Sequence, residues 1–355
     1  MGPEIKQLRD KLKGLNLSGM IVSNPVSIKY LTGLDAEGIL VIDPKENLFI
    51  TDSRYIESVN NMLTIDSEIV ACDKKEMTKY DYTLIFEDYN DIGFEENYVT
   101  YADYKRYLEL FQVNLVETEG LIESQRIVKE PEEIERIKKA CEITDKAFEY
   151  IIKNIKKGMT EKEIAFELER QMYLNGADGI AFETIVASGE NSSMPHAVPT
   201  DRVVKENDII LFDFGAKYQG YNADCSRTVF VGEIPEEQKE VYAFVLEQQE
   251  KIIENFREGT NIKTIMKNRE TDYSLARYSI LHAFGHGVGL EIHETPSLNS
   301  KMDCFLKKNA VVAIEPGVYF PGKFGIRIED TCLIDKNECI KLTKTGKTIT
   351  RIKLI

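Results

Sequence analysis

The stretch DIILFDFGA (208–216) carries an aspartate inside an otherwise apolar run of strand length. Side chains alternate faces along a strand, so Ile209, Leu211 and Asp213 share one face and Ile210, Phe212 and Phe214 the other. A lone carboxylate in such surroundings is so costly to desolvate that it would rather protonate. The chain must therefore bring Asp213 a partner. The next run, ADCSRTVFVG (223–232), follows a short glycine-containing connection and reads as the second arm of a hairpin. It puts Asp224 on the partner strand, facing Asp213 across the turn. Two facing carboxylates repel each other and raise one pKa, unless a cation lies between them.

A second strand pair is expected from NAVVAIEPGVYF (309–320) and GIRIEDTCLID (325–335), with proline and glycine between. Glu315 ends the apolar run just before Pro316, and Glu329 lies two residues from Arg327 on the same face. Each acid alone has an ordinary explanation as a strand-edge charge or an ion pair, Glu329 with Arg327 in particular. Four such acids beside a cluster of histidines are poorly explained that way. Four carboxylates and an imidazole would crowd one divalent ion. Two ions about 3.5–4 Å apart, bridged by carboxylates, suit that donor count better.

Of the four histidines in the chain, His282, His286 and His293 fall within HAFGHGVGLEIHE (282–294), and His196 stands in SSMPHAVPTDR (192–202). A helix would bring His282 and His286 to one face. Gly285, Gly287 and Gly289 argue against it, each costing about 1 kcal/mol relative to alanine. Glycines at alternate positions suit an extended or bulged backbone that other groups approach closely. The H-E-x-x-H pattern of helical zinc proteases is missing from this stretch. Spacing alone does not say which imidazole binds a metal and which carries protons.

With 355 residues the chain is long enough for two domains. In the first part, GMIVSN (19–24), GILVID (38–43), NLFITD (47–52) and TLIFED (83–88) read as strands, with helical patterns at about 3–14, 53–62 and 101–111. That is an α/β domain, assigned to 1–122. Charge density then rises, and Pro131 opens a long amphipathic helix stepping through Ile134, Ile137, Ala140, Ile143, Ala147 and Ile151 and ending near Gly158. Thr160 with Glu163 forms a capping box for the next helix, stopped at Gly176. A further helix is expected at 235–257. Strands interleaved with helices make 123–355 an α+β domain. The net charge of −15 disfavours nucleic acid as a partner. No apolar run is long enough to span a membrane, and the first residues lack the apolar core of a secretory signal. The six cysteines, Cys72, Cys141, Cys225, Cys304, Cys332 and Cys339, show no metal-type or framework spacing. They are read as free thiols in a reducing cytoplasm.

The stretches IVASGENSSMPHAVPTDR, DIILFDFGAKYQGYNADCSRTVFVG, HAFGHGVGLEIHE, AIEPGVY and GIRIEDTCLI resemble the pita-bread metallopeptidases (family M24), and within them the Xaa-Pro peptidase branch of prolidase and aminopeptidase P type. They occur in the family's order over about 180–335. YLTGLDAEGILVID and LFITDSRYIES are similar, more loosely, to the creatinase-like N-terminal domain that precedes such catalytic domains. The resemblance implies an α/β creatinase-like domain followed by an α+β pita-bread catalytic domain. It implies hydrolysis of Xaa-Pro bonds in dipeptides or at peptide N-termini, by a homodimer acting on proline-containing peptides. It also implies two divalent ions, manganese foremost, with cobalt, zinc or iron as alternatives. Asp213 would hold one ion, Asp224 and Glu329 would bridge both, and His286 and Glu315 would complete the other. A hydroxide bridging the metals would be the nucleophile and Glu315 the general base. His293 and His196 would contact the substrate carbonyl or the tetrahedral intermediate, and His282 would orient substrate or shuttle a proton. Arg327 would steady Glu329 and the contacts on the His196 side. The segment 257–281 is matched only loosely and is expected to border the substrate.

Three other readings compete. A methionine-type aminopeptidase of the same fold is disfavoured by the N-terminal domain of about 120 residues and by HAVPTD. Creatine hydrolysis is disfavoured by the retained metal set. A non-catalytic partner-binding relative would have lost ligands that this chain keeps.

Overall fold

The structure, a computed structural model, describes residues 2–44, 46–63 and 68–355. The chain divides into two compact units, Met1–Arg126 and Ile127–Ile355. The division falls a few residues beyond 122, after a short helix at 123–126.

The first unit is built on one mixed sheet of β1 (Gly19–Val22), β2 (Ile39–Ile42), β3 (Asn47–Thr51), β4 (Ile69–Asp73), β5 (Asp91–Phe94) and β6 (Asn114–Glu117), in the order β4-β3-β2-β1-β5-β6. Helices cover both faces, which is why its central strands are apolar throughout. α1 (Pro3–Gly14) and α2 (Pro25–Thr32) bury Ile5, Leu8, Leu12, Ile28 and Leu31 in one cluster. Phe86, Tyr107 and Phe111 belong to another, beneath α4 (Lys79–Ile85) and α5 (Tyr101–Phe111); α3 (Ile56–Met62) completes the helices of the sheet.

TLIFED is not a strand. Its first residues end α4, which Thr78 and Asp81 start with a reciprocal capping box. A short apolar run has no periodicity of its own, and here the cap decides. β4, β5, β6 and α2 are additional to the elements expected from the sequence.

In the second unit, α6 (Pro131–Asn154) and α7 (Glu161–Leu174) pack on β9 of the sheet β20-β12-β9-β8, formed by β8 (Ile185–Ser188), β9 (Ile209–Phe214), β12 (Cys225–Val231) and β20 (Thr350–Ile352). Thr160 and Glu163 form their capping box. Ile210, Phe212 and Phe214 point into the helix layer with Phe148, Leu168 and Met172. Asp213 and Leu211 therefore face the other way. Between β9 and β12 the chain makes an excursion through β10 (Ala216–Tyr218) and β11 (Tyr221–Asn222), joined by β7 (Gly179–Ile180). The residue paired with Asp213 is thus Ser226, not Asp224, which sits in the break between β11 and β12.

The expected second hairpin is in fact two. β15 (Val311–Ile314) pairs with β18 (Asp330–Ile334) inside the sheet β14-β13-β15-β18-β19, with β13 (Gly285–Gly287), β14 (Glu294–Ser297) and β19 (Cys339–Lys341). β16 (Gly317–Phe320) pairs separately with β17 (Phe324–Arg327). Pro316 has no N–H for a ladder and marks the first break. Glu315 lies there, and Glu329 lies in the matching break between β17 and β18.

α8 (Glu236–Asn255) and α9 (Ile262–Ala276) cover the other side of this unit, burying Val245, Ile252, Ile262, Met266 and Tyr273. α9 was not expected. Its segment packs into the core, and no residue of 257–281 lines the cavity described below, contrary to the expected place beside the substrate. Ile262, Met266 and Tyr273 recur at helical spacing, and that face is spent on packing.

A buried cation ties the break region together. Arg227, 2% exposed, donates to Ser226 O, Glu329 O and Thr345 O and pairs with Asp330 at 2.6 Å. Burial pushes the Asp330 carboxyl up, but Arg227 and Lys347 outweigh burial and hold it below the usual range. Removing one partner of such a pair strands a buried charge. Arg227→Ala is expected to lower the unfolding free energy by about 3–5 kcal/mol. Urea titration followed by circular dichroism measures this, and a change under about 1 kcal/mol would contradict the role assigned to Arg227.

Candidate active site

Asp213, Asp224, His282, His286, Glu315, Arg327 and Glu329 line one cavity of about 290 Å³, with His196 and His293 exposed at its wall. The strand ends described above bring them together. The close backbone approach foreseen for the glycines is present around His286. A Cβ on Gly285 would meet Ala313 O at 2.0 Å, and one on Gly287 would meet Thr295 O at 2.4 Å. The β13–β14 register shifts between His286 and Gly287, so the imidazole leaves the sheet at a bulge.

The His286 ring is oriented for ligation. Nδ1 lies 3.0 Å from Gly287 O, which fixes the proton there and leaves the Nε2 lone pair free. Nε2 is 3.4 Å from Asp224 Oδ2 and 3.7 Å from Glu315 Oε1. Burial is the main cause that lowers its pKa to about 4, so the ring is neutral. One donor atom each from Asp224, His286 and Glu329 fit within 4.8 Å of one another.

Burial and mutual repulsion make the clustered carboxylates hold their protons. Burial raises Asp224 well above the carboxylate range, and Asp213 and Glu315 raise it further. Glu329 rises for the same reasons, burial first, then Asp224 and Glu315. Burial lifts Glu315 to about 8 despite Arg327. Ser226 Oγ lies 3.0 Å from Asp213 Oδ1 and 2.7 Å from Glu329 Oε2, yet it has one proton to donate. An oxygen-rich donor set of mutually repelling acids with one neutral imidazole is chemically matched to divalent cations.

Arg327 differs from expectation in its direct partner. Its guanidinium pairs with Asp213 Oδ2 at 2.6 Å and reaches Glu329 only through Ser226 Oγ, to which Nε donates at 2.8 Å. Nη1 donates to Pro195 O, beside His196, and to Tyr319 Oη at 2.8 Å. Tyr319 Oη in turn lies 2.9 Å from His282 Nε2. With the hydroxyl accepting from Arg327 and donating to His282, Nδ1 of His282 keeps its proton and donates to Ala283 O at 2.7 Å. Burial first, then Arg327, lowers the His282 pKa to about 4. Nδ1 is 3.8 Å from Glu315 Oε2. His293 packs edge-on against His286, with ring centroids 4.4 Å apart. Sequence reasoning missed Tyr319 and Ser226. The only signal for Tyr319 is its place two residues after Gly317 in the quoted AIEPGVY, and for Ser226 its place two residues after Asp224.

Residues 135–336 match metallopeptidase family M24, and residues 4–128 match the creatinase/prolidase N-terminal domain. A Xaa-Pro dipeptidase of Pyrococcus horikoshii is 34% identical over 98% of this chain and 99% of its own.

The chain belongs to metallopeptidase family M24.

Among solved structures, a Xaa-Pro dipeptidase from Bacillus anthracis superposes with a TM-score of 0.90 at 33% identity, covering 98% of this chain and 99% of that one. An X-Pro aminopeptidase from Thermotoga maritima does so with a TM-score of 0.89, also at 33% identity and with the same coverage. The architecture is thus a creatinase-like domain followed by a pita-bread catalytic domain, and the M24 family is one of divalent-metal enzymes. No helix among the described residues is long and apolar enough to cross a membrane.

The raised carboxylates predict how stability of the metal-free M24 chain varies with pH. In the unfolded chain these groups titrate near about 4. Folding raises them, so the protonated cluster stabilises the fold fully below that value, and this stabilisation is lost as pH rises through the raised values. Metal-free protein is expected to lose melting temperature between about pH 5 and 8, with a shallower decline in Glu329→Gln. Added Mn²⁺ should restore more stability at the upper end, where ligands shed protons readily. Calorimetry across pH, with and without chelator, checks this; identical profiles for wild type and Glu329→Gln would contradict it.

Proposed function

We propose that this chain is a metal-dependent peptidase hydrolysing Xaa-Pro bonds, in dipeptides or at the N-termini of longer peptides. The observation that carries this reading is the convergence of Asp213, Asp224, His286, Glu315 and Glu329 on one cavity. Relatives called Xaa-Pro dipeptidase and X-Pro aminopeptidase support the bond type.

In this reading Asp213, Asp224, His286, Glu315 and Glu329 would hold two divalent ions. Manganese is the first candidate; cobalt, zinc and iron suit the same donors. Bound ions supply a water of lowered pKa and polarise the scissile carbonyl. Glu315 would accept the proton of the attacking water as general base. His196 and His293, exposed at the cavity wall, contact the substrate carbonyl and the charge that develops on its oxygen. His282 orients the substrate or shuttles a proton, and its neutral ring is held by Tyr319. Arg327 fixes Asp213 and, through Ser226, Glu329. Phe182, Val198 and Ile292 offer an apolar wall for the proline side. A homodimer, implied by the resemblance, and a cytoplasmic location, supported by six free cysteines, belong to the same reading.

Glu315→Ala is expected to abolish turnover while leaving the circular dichroism spectrum unchanged, and Glu315→Gln to lower kcat by about 10²–10⁴-fold. Purified protein given Mn²⁺, Co²⁺ or Zn²⁺ is tested on Xaa-Pro and Xaa-Pro-Yaa peptides at fixed metal. Hydrolysis that a chelator removes supports the reading. The dipeptide-to-tripeptide rate ratio then separates dipeptidase from aminopeptidase. Failure to bind divalent metal, or inactivity across the whole panel, would overturn it.

A further inference from the structure

Glu161, the first residue of α7, is fully buried at 0% exposure and does not line the cavity. Its carboxylate nevertheless gathers six hydrogen bonds from the two ends and the middle of one loop. Oε1 accepts from Ser188 N at 2.6 Å and Ser188 Oγ at 2.7 Å. Oε2 accepts from Thr200 N at 2.9 Å and Thr200 Oγ at 2.6 Å. Asn191 Nδ2 donates to both oxygens at 3.1 Å. The backbone follows the same line, with Glu161 N donating to Arg202 O and Lys162 N to Thr200 O. Both ends and the middle of the loop 188–200 thus meet on the Glu161 carboxylate, with Arg202 adding a hydrogen bond to Ser188 Oγ at 2.7 Å.

That loop carries His196, Ala197, Val198 and Pro199 into the cavity. Its opposite side is held from the cluster. Arg327 donates to Pro195 O at 3.1 Å, and Gly325 N donates to Ser192 Oγ at 3.0 Å. A Cβ on Gly325 would meet Ser192 O at 2.1 Å, so loop and β17 are in close contact. His196 stands between these two attachments, its ring exposed to the cavity.

We infer that Glu161 is a positioning residue, whose buried carboxylate closes the loop 188–200 and so sets His196 against the scissile carbonyl. The two carboxyl oxygens accept from both chain ends at once. A glutamine would turn an NH₂ group toward Ser188 N or Thr200 N, and neither backbone donor can reverse its role. One of the two backbone hydrogen bonds to this side chain must then be lost. Misplacement of a catalytic contact by about 1 Å costs about 10²-fold in rate, so the change is expected to register at the chemistry although Glu161 touches no substrate.

The inference rests on the substrate-side role proposed above for His196, and the test separates the two. Glu161→Gln, His196→Ala and the double variant are loaded with Mn²⁺ and assayed on an Xaa-Pro peptide, with bound metal counted by plasma mass spectrometry. Glu161→Gln is expected to bind metal as wild type and to lose about tenfold or more in kcat/KM, mostly in kcat, as for an interaction made in the transition state. In the His196→Ala background the same substitution should cost less than about threefold, because the residue through which it acts is gone. A fully active His196→Ala would overturn the role of His196 and, with it, this route for Glu161. An impaired His196→Ala in which Glu161→Gln costs the same factor as in wild type would overturn the inference alone. Should Glu161→Gln not fold, Thr200→Val removes one hydroxyl donor and is carried through the same cycle, with the same outcomes deciding.

Discussion

Mutual repulsion among buried carboxylates organises the catalytic unit. Asp213, Asp224, Glu315 and Glu329 share a cavity with one guanidinium, and that guanidinium is already committed to Asp213, Ser226, Pro195 and Tyr319. A fold that accumulates so much like charge needs both a cation and a scaffold stiff enough to prevent the acids from separating. The scaffold is visible on both sides. Phe148, Phe212 and Phe214 pack as an aromatic layer behind Asp213, and the ion pair of Arg227 with Asp330 lies directly behind Glu329. In the proposed reading, replacing repulsion by coordination would turn a destabilising cluster into a metal-linked increment of stability.

The breaks in the strands make this cluster possible. Within a ladder, side chains alternate and every second residue is lost to the opposite face. Glu315, Glu329 and Asp224 each sit where one pairing ends and another begins, free of that alternation. Thr331 Oγ donates to Asp224 O and accepts from Asp224 N, occupying backbone groups that the break leaves without ladder partners. The carboxylates can then turn toward a common point without unsatisfied backbone behind them.

Much of this was legible in the chain, and the failures have definite causes. Alternation in IILFDF located the face of Asp213 correctly, because β9 is a long strand with one helix-covered side. The capping box at Thr160 and the long helix from Pro131 were equally plain. The pairing of 309–320 with 325–335 was misread as one hairpin because apolar residues run through the breaks at Glu315 and Glu329. β6, with the sequence NLVE, carries too little apolar pattern to announce a strand; its pairing with β5 makes it one. Ser226 and Tyr319 were invisible for another reason. Their importance lies in contacts spanning long sequence separations, such as Arg327 Nε to Ser226 Oγ across 101 positions, which no local pattern encodes. Glu161 belongs with them, since it reads as an ordinary first-turn acid of α7.

The equal likeness to a dipeptidase and an aminopeptidase structure has a physical counterpart. The carboxylate cluster is held by strand pairing and by buried pairs such as Arg227 with Asp330, features that a change of peptide length need not disturb. The proposed substrate wall is built differently. Val198 and Pro199 stand on the loop 188–200, Ile292 precedes β14, and Phe182 lies between β7 and β8. Each of these can move without unpairing a strand next to one of the clustered carboxylates. Selection for a closed or an open proline side can therefore act on the loops while the hydrolytic centre stays as it is. The hydrogen bonds from both ends of one of those loops to the buried Glu161 carboxylate mark where such a change would meet resistance. Any substitution in 188–200 that shifts Ser188 or Thr200 must break hydrogen bonds to Glu161, whereas substitutions at Val198 alone leave them intact.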